Sequence, residues 1–329
     1  MRSRCVSALA AAALLGAVGA CGDSGSSSTS AGGSCAPVKG DQLVVLADDK
    51  KLQQAENVVP AVNAGAAKAS PALVPVLNKV SSVLDTPRLI ELNRQTDVER
   101  VTPKNAAKDF VAKHNLTEGL EKGSGSVKVG TQGFSESQTM GEIYVAVLNA
   151  AGFSASTKTV GPRPTYAPAL SKGSDVTVVP DYLGSLTEYY NRLDNGPTAK
   201  PLASGDVDKT LAALKKLAGK QNVVVGEPAE AQDQNAFAVT DAFADKYKVK
   251  TLSELAKACS GGVILGAPAE CTSERQPQCA PGLEKTYGLK ITKFVPSGAA
   301  GSAQVKTFAK TGRIVLALVL SSDGTLQQG

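Results

Sequence analysis

The chain has 329 residues, 42% hydrophobic and 20% charged, enough to bury the cores of two domains of ordinary size. Thirty-five Lys and Arg against 30 Asp and Glu leave +5, a charge too small and too evenly spread for a nucleic-acid binder. One histidine, no tryptophan and only 4% aromatic residues leave little material for triad or metal chemistry.

Taken in chain order, Arg2 and Arg4 precede an apolar run, Val6 to Ala20, broken only by Ser7. A basic stretch before a short apolar one reads as an export signal, and the run is too short to span a bilayer. It ends Val18-Gly19-Ala20-Cys21, which resembles a bacterial lipobox. A signal peptide over residues 1–20 is therefore expected, with Cys21 lipidated and holding the chain on the outer face of the cell membrane. Residues 21–40 follow as a tether, because Gly22 to Gly33 is almost wholly Ser, Gly, Ala and Thr and cannot bury apolar area. Once Cys5 leaves with the signal, Cys35, Cys259, Cys271 and Cys279 remain, and four cysteines outside the cytoplasm allow three pairings. Cys271 and Cys279 flank a short polar loop and are the first choice; Cys35 with Cys259 then follows by elimination. Zinc is the competing reading, set aside because there is no CxxC pair and the single histidine is His114.

Residues 41–120 open with a strand over Gln42–Leu46 and continue as helices. Ser70-Pro71, Thr86-Pro87 and Thr102-Pro103 each read as a hydroxyl cap before Pro at the first helical position. Behind them Leu73/Val76/Leu77/Val80, Leu89/Ile90/Leu92 and Ala106/Phe110/Val111 recur at helical spacing. Gly119 to Ser126 is a second Gly/Ser joint. Beyond it strands and helices alternate: strand 127–129, helix 136–151, strand 154–159, helix 166–172, strand 176–179, helix 206–217 and strand 223–225. The second half repeats the pattern, with strands 236–239, 263–265, 289–294 and 314–320 and helices 252–258 and 302–310. Such alternation predicts two α/β lobes, each a mostly parallel sheet covered on both faces, with a ligand cleft between them. The chain has no GxSxG elbow, P-loop or paired metal-ligand spacing, so no enzyme, cofactor or metal is expected.

Several segments resemble the glycine betaine/choline/proline-betaine family of ABC transporter substrate-binding lipoproteins. They are Gly130–Gln138 (GTQGFSESQ), Pro180–Ser185 (PDYLGS), Asp233–Val239 (DQNAFAV), and Pro268–Cys271 followed by Pro281–Gly288. Leu46–Lys50 and Leu89–Asn93 are similar to segments that close the family's usual chain, yet here they come first. The resemblance thus implies a two-lobed periplasmic-binding-protein-like clamshell of type II in circularly permuted order. Lobe I would run over 41–226 (the usual C-terminal block 41–120, then the usual N-terminal block 126–226) and lobe II over 227–329, with a single covalent hinge remaining.

The resemblance also implies the function: capture of a small zwitterionic or quaternary-ammonium osmoprotectant-type solute and delivery to an ABC permease and its ATPase subunit, by a monomer. The alternative is a receptor of the same fold that senses a polar, amino-acid-like zwitterion. Where quaternary-ammonium binders of the family carry an aromatic cage, this chain keeps Tyr182 and has Asn235, Leu320 and Glu56 at the other positions. Ser185 matches a polar contact, and Gln132 stands in the first strand-to-helix turn. Arg163 and Arg275 are the candidates to clamp a carboxylate, and Glu270 and Glu56 those to face a cation.

Overall fold

The computed structural model describes residues 33–274 and 276–326. Cys21, the signal peptide, most of the tether and Arg275 lie outside them. Ten strands appear in chain order: β1 (Leu43–Leu46), β2 (Val58–Asn63), β3 (Ser126–Thr131), β4 (Ser154–Thr159), β5 (Val178–Tyr182), β6 (Val223–Val225), β7 (Asn235–Thr240), β8 (Val263–Ala267), β9 (Ile291–Pro296) and β10 (Leu316–Leu320). They form two five-stranded sheets, ordered β4-β3-β5-β2-β6 in lobe I and β1-β7-β10-β8-β9 in lobe II.

Each sheet is less parallel than the alternation predicts. In lobe I, β3 runs parallel to β4 and β5, while β2 is antiparallel to both β5 and β6. In lobe II, β8 runs parallel to β9 and β10, while β7 is antiparallel to both β1 and β10. The inverted strand is the same kind in both lobes. β2 and β7 are the strands that enter directly from the opposite lobe, and neither is preceded by the crossover helix that would return it parallel to its neighbours. Pairing to β7 also places β1 in lobe II, so lobe I does not begin at residue 41. The chain crosses between lobes twice, over residues 47–57 and 226–234. A single remaining hinge is therefore not what the fold shows. The two crossings lie side by side, tied by the Asn57–Gln232 bridge and by Val58 N–H donating to the Ala231 carbonyl.

β2 is an interior strand, between β5 and β6, and is buried along its whole length, yet no strand is expected there from the sequence. Its Pro60 argues against a central strand, since proline cannot donate to the ladder. The fold answers this by register: Pro60 faces Pro180 of β5 at a non-hydrogen-bonded position, and its nitrogen turns to the other side, where β6 has ended and Gly226 N–H donates to the Pro60 carbonyl. Alternate residues of β2 then point to two cores: Val58 and Val62 toward the helices Leu73–Ser81 and Ser135–Ala150, Val59 and Ala61 toward the helix Leu183–Asn195.

The three expected hydroxyl caps meet three different outcomes. Thr102 caps its helix as predicted, accepting from Asn105 N–H. At the helix Thr86–Asn93 the cap is Asp85, whose carboxylate accepts from Arg88 N–H and moves Thr86 into the first turn. Ser70 instead closes the preceding helix, Ala64–Ala69. Disulfides join Cys35 to Cys259 and Cys271 to Cys279. The first fastens the start of the described chain to lobe II. Among the described residues, no helix is long and apolar enough to cross a membrane.

Candidate functional site

A cavity of about 560 Å³ opens where the lobes meet. Lobe I supplies Asn93 at the end of its helix, Asp97 just beyond, and Phe134, Ser135 and Glu136 from the start of the helix Ser135–Ala150. Asp233 comes from the second crossing. Lobe II supplies Lys306, Leu320 and the Ser322–Thr325 turn.

Glu136 is the centre of this arrangement. The turn after β3 places it in the first helical turn facing inward, and only 5% of it is exposed. Its Oε1 accepts from the Tyr182 hydroxyl and its Oε2 from the Asn93 side-chain amide, both at 2.5 Å. Asn93 also donates to the Ser322 carbonyl across the lobe boundary at 2.8 Å. Ser322 Oγ donates to Asp233 Oδ1 at 2.7 Å. Burial pushes the Glu136 carboxyl up to about 7, the Asp233 charge adds to the rise, and the bonds from Tyr182, Asn93 and Ser322 oppose it. Asp233 is raised as well, by burial first and then by Asp323. Lys306 sits with Asp323, Nζ to Oδ2 at 2.8 Å.

The residues expected to touch ligand lie mostly elsewhere. Tyr182 stands one hydrogen bond behind the cavity, through Glu136. Arg163 is not available to clamp a carboxylate: its Nε and Nη2 both donate to Asp181 Oδ1, at 2.9 and 2.6 Å. Asp181 is fully buried and also accepts from the Tyr166 hydroxyl and from Tyr182 N–H, so the guanidinium neutralises a charge inside lobe I. Glu56 does not face a cation. Its carboxylate accepts from Ser185 N–H and Oγ, at 3.0 and 2.8 Å, and from Gln54. It thereby satisfies the uncapped start of the helix Leu183–Asn195 and occupies Ser185, the expected polar contact. Burial raises the Glu56 carboxyl above its usual range, against those bonds. Gln132 gives its backbone N–H to Ser137 Oγ. Asn235 opens β7 opposite Leu320. Glu270 is exposed on the short turn Ala269–Thr272.

Glu136, Asn93 and Asp233 were not among the sequence candidates, although all three lie inside segments that carry the family resemblance. The available signal was local: a lone charged residue in an otherwise uncharged helix start, Glu136-Ser-Gln-Thr-Met140, on the face that the helical spacing buries.

A family model described as the substrate binding domain of ABC-type glycine betaine transport system matches residues 36–113 and 125–328. The chain belongs to this family. Its two α/β lobes and the cleft between them are those of a type II periplasmic-binding-protein fold, and the family consists of binding proteins of ABC transport. Among curated relatives, the glycine betaine-binding protein YehZ of Escherichia coli strain K12 is 26% identical over 204 residues, 60% of this chain and 65% of that protein. A glycine-betaine-binding protein of Pseudomonas aeruginosa is 30% identical over 88 residues, 27% of this chain and 28% of the relative. The aligned stretch thus spans just under two thirds of the first relative and under a third of the second. The gap between the two matched stretches, residues 114–124, falls on the Gly/Ser joint.

Proposed function

We propose that this protein captures a small ammonium-bearing solute of the glycine betaine/choline/proline-betaine class outside the cytoplasmic membrane and hands it to an ABC permease. One observation carries the reading: a family member with an acid-lined cavity of about 560 Å³ between two lobes that are joined by two adjacent crossings. Adjacent crossings make a hinge, and a solute that touches both lobes favours the closed form by its differential affinity. Cys21 would carry the lipid that keeps the body beside its membrane partner.

A thermal-shift and calorimetry panel of glycine betaine, choline, proline betaine, carnitine and the amines dimethylglycine and dimethylaminoethanol on the purified mature protein tests the capture. A specific ligand at 100 times its Kd raises stability by about 2.7 kcal/mol. No shift with any member of the panel would defeat the reading. Fatty-acid labelling that persists in a Cys21→Ser chain would defeat the anchor.

The order of the blocks is part of the same reading. We take it as a circular permutation closed at Gly119–Ser126, where Gly123 N–H donates to the Ala151 carbonyl and the joint packs on Phe153. A chain rebuilt with residues 126–326 before residues 33–118 should bind the same solute, and failure to fold would count against it.

A further inference from the structure

Solute capture says little about which ammonium the cavity prefers, and the polar groups lining it are unusually one-sided. The lining carries four carboxylates, Asp97, Glu136, Asp233 and Asp323, against one cation, Lys306. Lys306 is already paired with Asp323, and Asp97 Oδ1 accepts from Ser135 Oγ. That leaves Glu136 and Asp233, whose side chains have no ion-pair partner among the described residues.

A second observation is independent of these charges. Asn93 is 4% exposed, and both hydrogens of its side-chain amide are used, one on Glu136 and one on the Ser322 carbonyl. Its Oδ1 is buried and accepts from nothing. Turning the amide over would set that oxygen against a carboxylate and a carbonyl, so the orientation is held. A buried acceptor without a donor is costly, and native proteins keep few of them. Beside it stand two carboxylates without an ion-pair partner, so a donor that also carries positive charge would answer both.

We propose that the inter-lobe cavity recognises an organic cation bearing N–H, a protonated primary, secondary or tertiary amine, with Glu136 and Asp233 as its counter-charges and Asn93 Oδ1 as an acceptor for its N–H. A quaternary ammonium has no N–H to give, and its natural partners are aromatic ring faces. The cavity lining has one aromatic residue, Phe134, which is 41% exposed, while Tyr182 offers Glu136 its hydroxyl. A metal ion fits less well. Among the described residues no three acidic, His or Cys side chains converge on one point. The raised carboxyls of Glu136 and Asp233 agree with this reading, because the burial and mutual repulsion that raise them are what a bound cation would relieve. Asp233 from the crossing, Tyr182 from β5, Asn93, and Ser322 from lobe II are the groups that act on Glu136, while Asp323, paired with Lys306, acts on Asp233.

This inference rests on the capture reading, and paired ligands separate the two. Calorimetry on the wild-type mature protein compares glycine betaine with dimethylglycine and sarcosine, and choline with dimethylaminoethanol, at a pH where the amines are protonated. The N–H-bearing member of each series should bind at least tenfold tighter than its quaternary counterpart. Glu136→Gln, which keeps the volume and the hydrogen-bonding reach, should weaken amine binding tenfold or more and erase that preference. Equal or tighter binding of the quaternary members overturns the amine assignment and leaves solute capture standing. Binding by no member of either series overturns both. Because the wild-type comparison needs no variant, a Glu136→Gln chain that failed to fold would not blunt the test.

Discussion

Asp181 of β5 and Glu136, which accepts from the next residue of that strand, are two buried carboxylates whose surroundings differ in kind. Asp181 has a guanidinium, a phenol and a backbone N–H, so its charge is neutralised within lobe I. Glu136 has a phenol and an amide but no cation, and its nearest charge is another carboxylate. Both are costly to bury, and only one is compensated. A network closed on itself reads as architecture. One left open at a lobe boundary reads as a place for a guest.

That contrast can be broken first at Arg163. Replacing it by Ala strands Asp181 in the core, and removing one partner of a buried pair costs about 3–5 kcal/mol. Urea unfolding should show this loss while solute affinity of the folded protein stays unchanged; the reverse pattern would return Arg163 to the ligand.

The second prediction concerns pH. The Glu136 carboxyl is raised in the folded state from 4.5 to about 7, so the folded protein holds more protons than the unfolded chain across that window. The contribution of Glu136 to the stability of the ligand-free protein should therefore be fully present below about pH 4.5 and be lost as pH rises through about 7. Asp233 and Glu56 shift in the same direction, so Glu136→Gln should flatten the fall without abolishing it. Chemical denaturation at several pH values reads this directly, and a stability that climbs over the window would be the wrong sign.

Smaller effects sharpen the comparison. Tyr182→Phe keeps the ring and loses one hydrogen bond to Glu136, worth about 1 kcal/mol, or close to fivefold in solute affinity by calorimetry. Ser185→Ala should cost a similar amount of stability, with affinity untouched, because its hydroxyl serves Glu56 and the helix start. Glu270→Ala should change stability by less than about 0.5 kcal/mol and leave binding alone, as an exposed side chain on a turn.

Much of the scaffold could be read from the chain. The β-rich runs Val223–Val225 and Ser154–Thr159 and the helix Leu252–Ala258 lie where apolar spacing put them, because each is decided by its own side chains. β2 could not be found this way: its proline is tolerated because its nitrogen faces the side where the neighbouring strand β6 has already ended. The site followed the same division. Tyr182 was legible as a member of a turn motif, but Arg163 and Glu56 looked like free charges until the fold showed Asp181 and Ser185 beside them. A side chain's availability depends on what else is buried nearby, and spacing along the chain carries no record of that.

The sequence by itself determined two α/β lobes, the four cysteines left to pair, and membership of a solute-binding family, since periodicity, composition and short motifs are local properties. Tertiary structure alone decided which lobe owns the first strand, which carboxylates are neutralised, and where an unsatisfied acceptor remains. Those outcomes depend on contacts between residues as far apart as Asn93 and Ser322, where desolvation and charge pairing act through space and not along the backbone.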